Sequence, residues 1–105
     1  MKYISIMSLL LVFGLLTPPQ TDSEPIKPKD GYVAKERTAI RIAEAVLSDI
    51  YGDEQLKLEL PLTARLENDV WIVTGTFPKG NYYGGVASIS IEKDSGCILS
   101  VSHGK

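Results

Sequence analysis

Hydrophobic and polar positions follow different rhythms in successive parts of this chain. From Ala34 to Tyr51 the repeat is 3.6 residues. Ala39, Ile40, Ala43, Val46, Leu47, Ile50 and Tyr51 fall on one face, and Arg37, Arg41, Glu44 and Ser48 on the other. This spacing predicts an amphipathic helix. Gly52 ends it and suits a left-handed cap, while no Ser, Thr, Asn or Asp stands at 33–35 to cap its start. After Asp53-Glu54 the period becomes two. Leu56, Leu58 and Leu60 alternate with Lys57 and Glu59, then Leu62, Ala64 and Leu66 with Thr63, Arg65 and Glu67. Pro61 interrupts the run, which predicts an edge strand or two pieces joined at a bulge. Val70-Trp71-Ile72-Val73-Thr74-Gly75-Thr76-Phe77 holds the only tryptophan, and its β-branched and aromatic residues predict a central strand.

Phase relations between neighbouring strands then set the pairing. A two-residue loop at Asn68-Asp69 places Glu67 opposite Val70, Leu66 opposite Trp71, Arg65 opposite Ile72 and Ala64 opposite Val73. Leu62, Ala64, Leu66, Trp71, Val73 and Phe77 thereby share one face, with Thr63, Arg65, Ile72 and Thr74 on the other. A slip of one residue would mix the two sets. A second hairpin closes through Asp94-Ser95-Gly96, with Gly96 at positive φ and Lys93 opposite Cys97. Ile91 then faces Leu99, Ile89 faces Val101 and Ala87 faces His103, while Ser88, Ser90, Ser100 and Ser102 point the other way.

The expected sheet has an aliphatic face and a face of small polar residues. One helix is available to cover the former, with Trp71 turned toward it beside Leu66, Val73 and Ile89. The fold class is α+β, an amphipathic helix packed on an antiparallel meander of about four strands.

The N-terminus has a different character. Lys2 precedes an apolar stretch from Ile4 to Leu16, broken only by Ser5, Ser8 and Gly14. It is short for a membrane span of about 20 residues and has the shape of an export signal. Residues 17–31 carry four prolines and little apolar surface, as an extended linker does. The organisation expected is therefore 1–23 as export signal and start of linker, 24–33 as proline-rich linker and 34–105 as a single domain. Localisation would be the periplasm or cell envelope, with no membrane attachment once the signal is removed.

Composition narrows the chemistry. A net charge of −2 over 105 residues offers no basic surface for nucleic acid. Cys97 is the sole cysteine, so it forms no internal disulfide, and a small buried apolar side chain is expected there. The sequence contains no G-x-S-x-G, H-E-x-x-H or C-x-x-C, and the carboxylates are scattered, most of them on turns or outward faces, with no spacing that suggests a catalytic pair. His103 is the only histidine and has no partner nearby in sequence, which places it at the surface or the edge of the core. No catalytic residue, metal ligand or cofactor site is indicated. Gly80-Asn81-Tyr82-Tyr83-Gly84-Gly85 lies in a link longer than a tight hairpin. It lacks the Lys-Ser/Thr of a phosphate loop, and forms either a binding loop or a wide turn whose tyrosines cover a sheet end.

Several stretches resemble a known family. They are Gly31-Tyr32-Val33, the helix Thr38-Ala39-Ile40-Arg41-Ile42-Ala43-Glu44-Ala45-Val46-Leu47 and Ile50-Tyr51-Gly52, then Pro61, Val70 to Thr76, Pro78 and Gly84-Gly85-Val86-Ala87. The last is Gly96-Cys97-Ile98-Leu99-Ser100-Val101-Ser102-His103-Gly104-Lys105. Together they resemble the immunity proteins of bacterial polymorphic toxin systems assigned the nuclear transport factor 2 fold, with the V-W-x-V-T-G-T strand and the S-H-G-K ending the more specific pieces. The resemblance runs from about Asp30 to Lys105. It implies a non-enzymatic protein that binds and neutralises a partner toxin. The chain departs from the family in carrying Ala34-Lys35 where a capping polar residue usually precedes Glu36. It has one long helix where larger relatives carry three, so a reduced nuclear-transport-factor-2-like or cystatin-like fold is expected. The helix and final hairpin also resemble PepSY domains, which would imply an exported module inhibiting or chaperoning a secreted protease.

Either implication requires a protein-binding surface, and the small-polar sheet face is the candidate. Thr63, Thr74, Ser88, Ser90, Ser100 and Ser102 would leave it smooth, with Arg65, Tyr82 and Tyr83 as anchors of the residue types that dominate interfaces.

Overall fold

The computed structural model describes residues 23–80 and 84–104. Helix α1 spans Glu36–Tyr51, followed by a short helix α2 at Asp53–Leu58. Strands β1 (Thr63–Glu67), β2 (Val70–Thr74), β3 (Ala87–Glu92) and β4 (Ile98–His103) form one antiparallel sheet in the order β1-β2-β3-β4. The chain is thus α+β, as its periodicities indicate.

Helix α1 starts after an extended Lys35 without a side-chain cap, and Glu36 in its first turn complements the helix dipole. Ala39, Ala43 and Leu47, four residues apart, are its buried stripe. It packs across β1, β2 and β3. Gly52 ends the helix at φ 91° and ψ 153°. This is an extended, glycine-only conformation rather than the left-handed cap expected, because the chain turns at once into α2.

That second helix corrects the strand reading of Leu56 to Leu60. Asp53 and Glu54 in its first turn and Lys57 in its last fit a helix dipole. Leu56 packs against the core, Leu58 and Leu60 remain exposed, and Glu59 is buried. The alternation is real, but the carboxylate between the leucines is the residue that goes inside.

The first hairpin has the expected register, Leu66 opposite Trp71 and Ala64 opposite Val73. Asn68 and Asp69 both take positive φ, 49° and 62°, as a type I′ turn requires. The second hairpin differs near its tip. Ile89 faces Val101 and Ala87 faces His103 as expected, but Ile91 faces Ile98 rather than Leu99, through a bulge. Lys93 is not opposite Cys97; the closing hydrogen bonds run from Glu92 N–H to Cys97 O and from Gly96 N–H to Glu92 O. The reason is that Lys93 is engaged elsewhere, its N–H donating to Asp69 O and its carbonyl accepting from Val33 N–H. Cys97 consequently lies on the turn and is exposed, not buried.

The core comprises Val33, Ala39, Ala43, Leu47, Leu62, Trp71, Val73, Ala87, Ile89 and Ile91. Trp71 turns toward α1 with Val73 and Ile89, and its indole N–H donates to Val33 O at 2.7 Å, so no polar atom is lost on burial. Leu66 and Phe77 are exceptions to the expected aliphatic face, being 44% and 54% exposed. Among the described residues Leu66 has a neighbouring strand on one side only. Phe77 follows the end of β2, where Gly75 N–H bonds Ala87 O and Thr76 N–H leaves the sheet for Glu59 O. Alternation no longer holds beyond that point. Val33, within the proline-rich segment's expected bounds, is fully part of the core, tied through Tyr32 N–H to Asp94 O and Val33 N–H to Lys93 O. Gly31 makes this approach possible, since a Cβ there would lie 2.6 Å from Lys93 O. The apolar stretch Ile4 to Leu16 and residues Tyr82 and Tyr83 lie outside the described residues. Among those described, no helix is long and apolar enough to cross a membrane.

Candidate functional site

Sheet registers assemble the predicted polar face row by row. Thr63 pairs with Thr74, Thr74 with Ser88 and Ser88 with Ser102, forming one row across all four strands. Arg65, Ile72, Ser90 and Ser100 form the next. At strand spacings of about 4.8 Å each row is roughly 14 Å wide. Helix α1 occupies the other side of the sheet, where Val73, Ile89 and Ile91 are fully buried. Among the described residues the polar face stays open: Thr63, Arg65, Ser100 and Ser102 are exposed, and Ile72, Thr74, Ser88 and Ser90 are half-buried between their neighbours. Arg65 Nε donates to Glu67 Oε2 at 2.5 Å across two residues of the same strand. Both side chains are more than half exposed, so the pair contributes little to stability and leaves the guanidinium reachable. The link carrying Tyr82 and Tyr83 leaves β2 after Thr74 and enters β3 at Ala87, the sheet end that bears the Thr63 row.

A second constellation escaped the sequence reading. Glu59, 1% exposed, accepts hydrogen bonds from Ala87 N–H at 2.6 Å, Gln55 Nε2 at 2.7 Å and His103 Nε2 at 2.9 Å. His103 Nδ1 lies 2.9 Å from Gly104 O. Each ring nitrogen therefore faces an oxygen that can only accept, an arrangement that the doubly protonated imidazolium satisfies. Its hydrogen bond to Glu59 raises the His103 pKa above its ordinary 6.5, outweighing the opposing effect of burial. Burial pushes Glu59 up, but the hydrogen bonds from Gln55, Ala87 and His103 together hold it below its ordinary 4.5. Tyr51 stands against His103 with ring centroids 5.2 Å apart. Gly75 leaves the space, since a Cβ there would be 2.7 Å from Glu59 Oε1.

The cluster engages both imidazole nitrogens. It joins the segment before β1 to the end of β4. The lone histidine was its only sequence signal; its partner lies 44 residues away and looks like an outward strand residue. Gly104, in the distinctive C-terminal run, has a packing role beside it. Gly85 N–H bonds Gly104 O at 2.9 Å, and a Cβ on Gly85 would meet Gly104 C at 2.4 Å. At the opposite end of the sheet Lys29, Asp30, Asp69, Lys93 and Asp94 line an open recess of about 220 Å³, its charges of mixed sign. Among the described residues no three His, Cys, Asp or Glu side chains converge as metal ligands.

Comparison with known proteins gives a family match, to a family described as NTF2 fold immunity protein, over residues 38–105. The uncharacterised protein YbbC of Escherichia coli (strain K12) is 32% identical over 122 aligned positions spanning the whole of both chains. The uncharacterised protein YhhH of the same strain is 33% identical over 73 positions, covering 70% of this chain and 58% of YhhH. No solved structure gives a significant match.

Proposed function

Because this chain belongs to the NTF2 fold immunity protein family, we propose that it binds and neutralises a protein toxin, and that the open polar face of the sheet is where the toxin docks. The observation that carries this reading is the pair of side-chain rows Thr63-Thr74-Ser88-Ser102 and Arg65-Ile72-Ser90-Ser100 on the side opposite α1. Hydroxyl side chains are short and desolvate at lower cost than lysine or glutamate, while still offering donors and acceptors to a partner. Half-buried Ile72 supplies apolar contact at the centre, and Arg65 with Tyr82 and Tyr83 supplies the anchors. The action is binding rather than catalysis, which accords with a His103 whose two ring nitrogens are both engaged. Export, suggested by Lys2 and the apolar Ile4 to Leu16 stretch, would place the protein in the periplasm or cell envelope.

The test is a binding titration against a candidate toxin encoded by a neighbouring gene. Arg65→Ala and Tyr82→Ala should each weaken the complex by about 1–4 kcal/mol with the melting temperature nearly unchanged. Unaltered affinity in both variants would move the site off this face. A neighbouring secreted protease in place of a toxin, inhibited by the protein, would favour the PepSY-like alternative.

A further inference from the structure

Beyond the last regular pair of β3 and β4, Ala87 opposite His103, the two chains continue as Gly85-Val86 and Gly104. Gly85 N–H donates to Gly104 O at 2.9 Å, and Gly104 N–H donates to Val86 O at 3.1 Å. Neither glycine has a side chain to bury, so these bonds close the strand end without packing of their own. Gly104 O has a second neighbour, Nδ1 of His103 at 2.9 Å, while Nε2 of the same ring lies 2.9 Å from Glu59 Oε2. The imidazole therefore bridges a buried carboxylate and the carbonyl on which the Gly85 bond depends.

Each packed element contributes something to this ring. Glu59 comes from the segment before β1, and Tyr51 of α1 stands with its ring centroid 5.2 Å away. From α2 the uncharged Gln55 reaches Glu59, and β3 supplies the backbone N–H of Ala87. Among the described residues Glu59 is the charged group facing His103, and Tyr51 the other titratable one. An imidazolium donates to both oxygens at once, whereas a neutral imidazole has one N–H and one lone pair. The remaining proton stays on Nε2. A lone pair set against the 1% exposed Glu59 carboxylate costs more than one set against the solvent-exposed Gly104.

We propose that His103 is a proton-operated latch: its imidazolium holds the Gly85–Gly104 pairing closed, and the neutral ring lets that pairing open while the rest of the sheet stays paired. The Gly104 peptide turns away from the lone pair on Nδ1, and its bonds with Gly85 N–H and Val86 O go with it. The fold keeps the ring loaded with a proton, since the bond to Glu59 raises His103 above its ordinary 6.5. The latch is closed below that value and opens as pH rises through the folded value. Ser88 and Ser102 adjoin Ala87 and His103 in the row proposed for docking, so an open latch loosens the β4 end of that row. The latch itself does not rest on the docking reading.

Amide hydrogen exchange tests the latch, followed by NMR on the chain as recovered from cells and expressed as protection relative to an unfolded chain at each pH. From acid to alkaline pH, protection at Gly85 and Gly104 should fall about tenfold more than at Val73 and Ile89, whose amides open with the whole sheet. His103→Gln keeps a donor for Glu59 but offers none to Gly104 O, so both glycine amides should be as weakly protected as in the open parent at every pH. Glu59→Gln should act in the opposite direction. Its amide donates to Nε2, the neutral ring turns its one N–H toward Gly104 O, and protection persists at alkaline pH. Circular dichroism matching the parent establishes that each variant is folded; if Glu59→Gln is not, the parent and His103→Gln profiles decide the matter. Glycine amides that track Val73 and Ile89 at every pH in the parent would overturn the latch. So would an alkaline loss of protection that His103→Gln retains, or that a folded Glu59→Gln fails to prevent.

Discussion

The carboxylate of Glu59 and the imidazole of His103 lie 2.9 Å apart, joining the segment before β1 to the end of β4 across 44 residues of chain. Their protonation links stability to pH from both sides. His103 is raised above its ordinary 6.5, so its contribution is complete below that value and is lost as pH rises through the folded value. Glu59 is lowered below its ordinary 4.5, so its contribution is present above that value and is lost as pH falls through the folded value. Denaturant unfolding across pH should therefore give greatest stability between 4.5 and 6.5, with a decline on each side. His103→Gln, which keeps an amide donor but cannot titrate, should abolish the alkaline decline and cost about 1–3 kcal/mol at pH 6. An alkaline limb unchanged in that variant would assign it to another group.

Gly75→Ala probes the same cluster sterically. The new methyl group would sit 2.7 Å from Glu59 Oε1 and 3.0 Å from Glu59 Cβ. Displacing a buried, fully paired carboxylate should cost about 1–3 kcal/mol and shift the His103 proton resonances. A variant with the parent's melting temperature and unshifted resonances would show that the site yields without cost.

Trp71 contributes in two separable ways. Trp71→Ala removes the largest side chain of the sheet core and should cost about 3–5 kcal/mol, close to the total stability expected of a domain this small. Trp71→Phe keeps a ring but removes the N–H that meets Val33 O. It should cost about 1–3 kcal/mol and speed hydrogen exchange at Tyr32 and Val33, whose amides bond the turn at Lys93 and Asp94. Unchanged exchange at those two amides would mean that the indole does not hold the entry segment.

Export is tested by mass. The apolar stretch after Lys2 predicts a mature protein beginning between about residues 15 and 25. Intact-mass measurement on protein recovered from the cell envelope should show that truncation, whereas a full-length chain extracted with membrane would identify an anchor.

The short-range order of this protein was written in its sequence. Helix α1 follows from apolar spacing, and the first hairpin from a two-residue loop that sets every pairing from Glu67–Val70 to Thr63–Thr74. Side-chain parity along the strands then put Thr63, Arg65, Thr74, Ser88, Ser90, Ser100 and Ser102 on one face, a consequence of local geometry alone. Only the tertiary structure decided what parity cannot express. The leucines from 56 to 60 suit a strand by period, yet α2 forms and Glu59 turns inward, because its partners Ala87 and His103 come from strands distant in sequence. The bulge at the β3–β4 tip and the exposure of Cys97 arise in the same way, from Val33 and Asp69 claiming the backbone of Lys93. Periodicity records how each segment meets an average interior. A buried ion pair or a diverted hydrogen bond depends on which particular atoms the finished fold brings within reach.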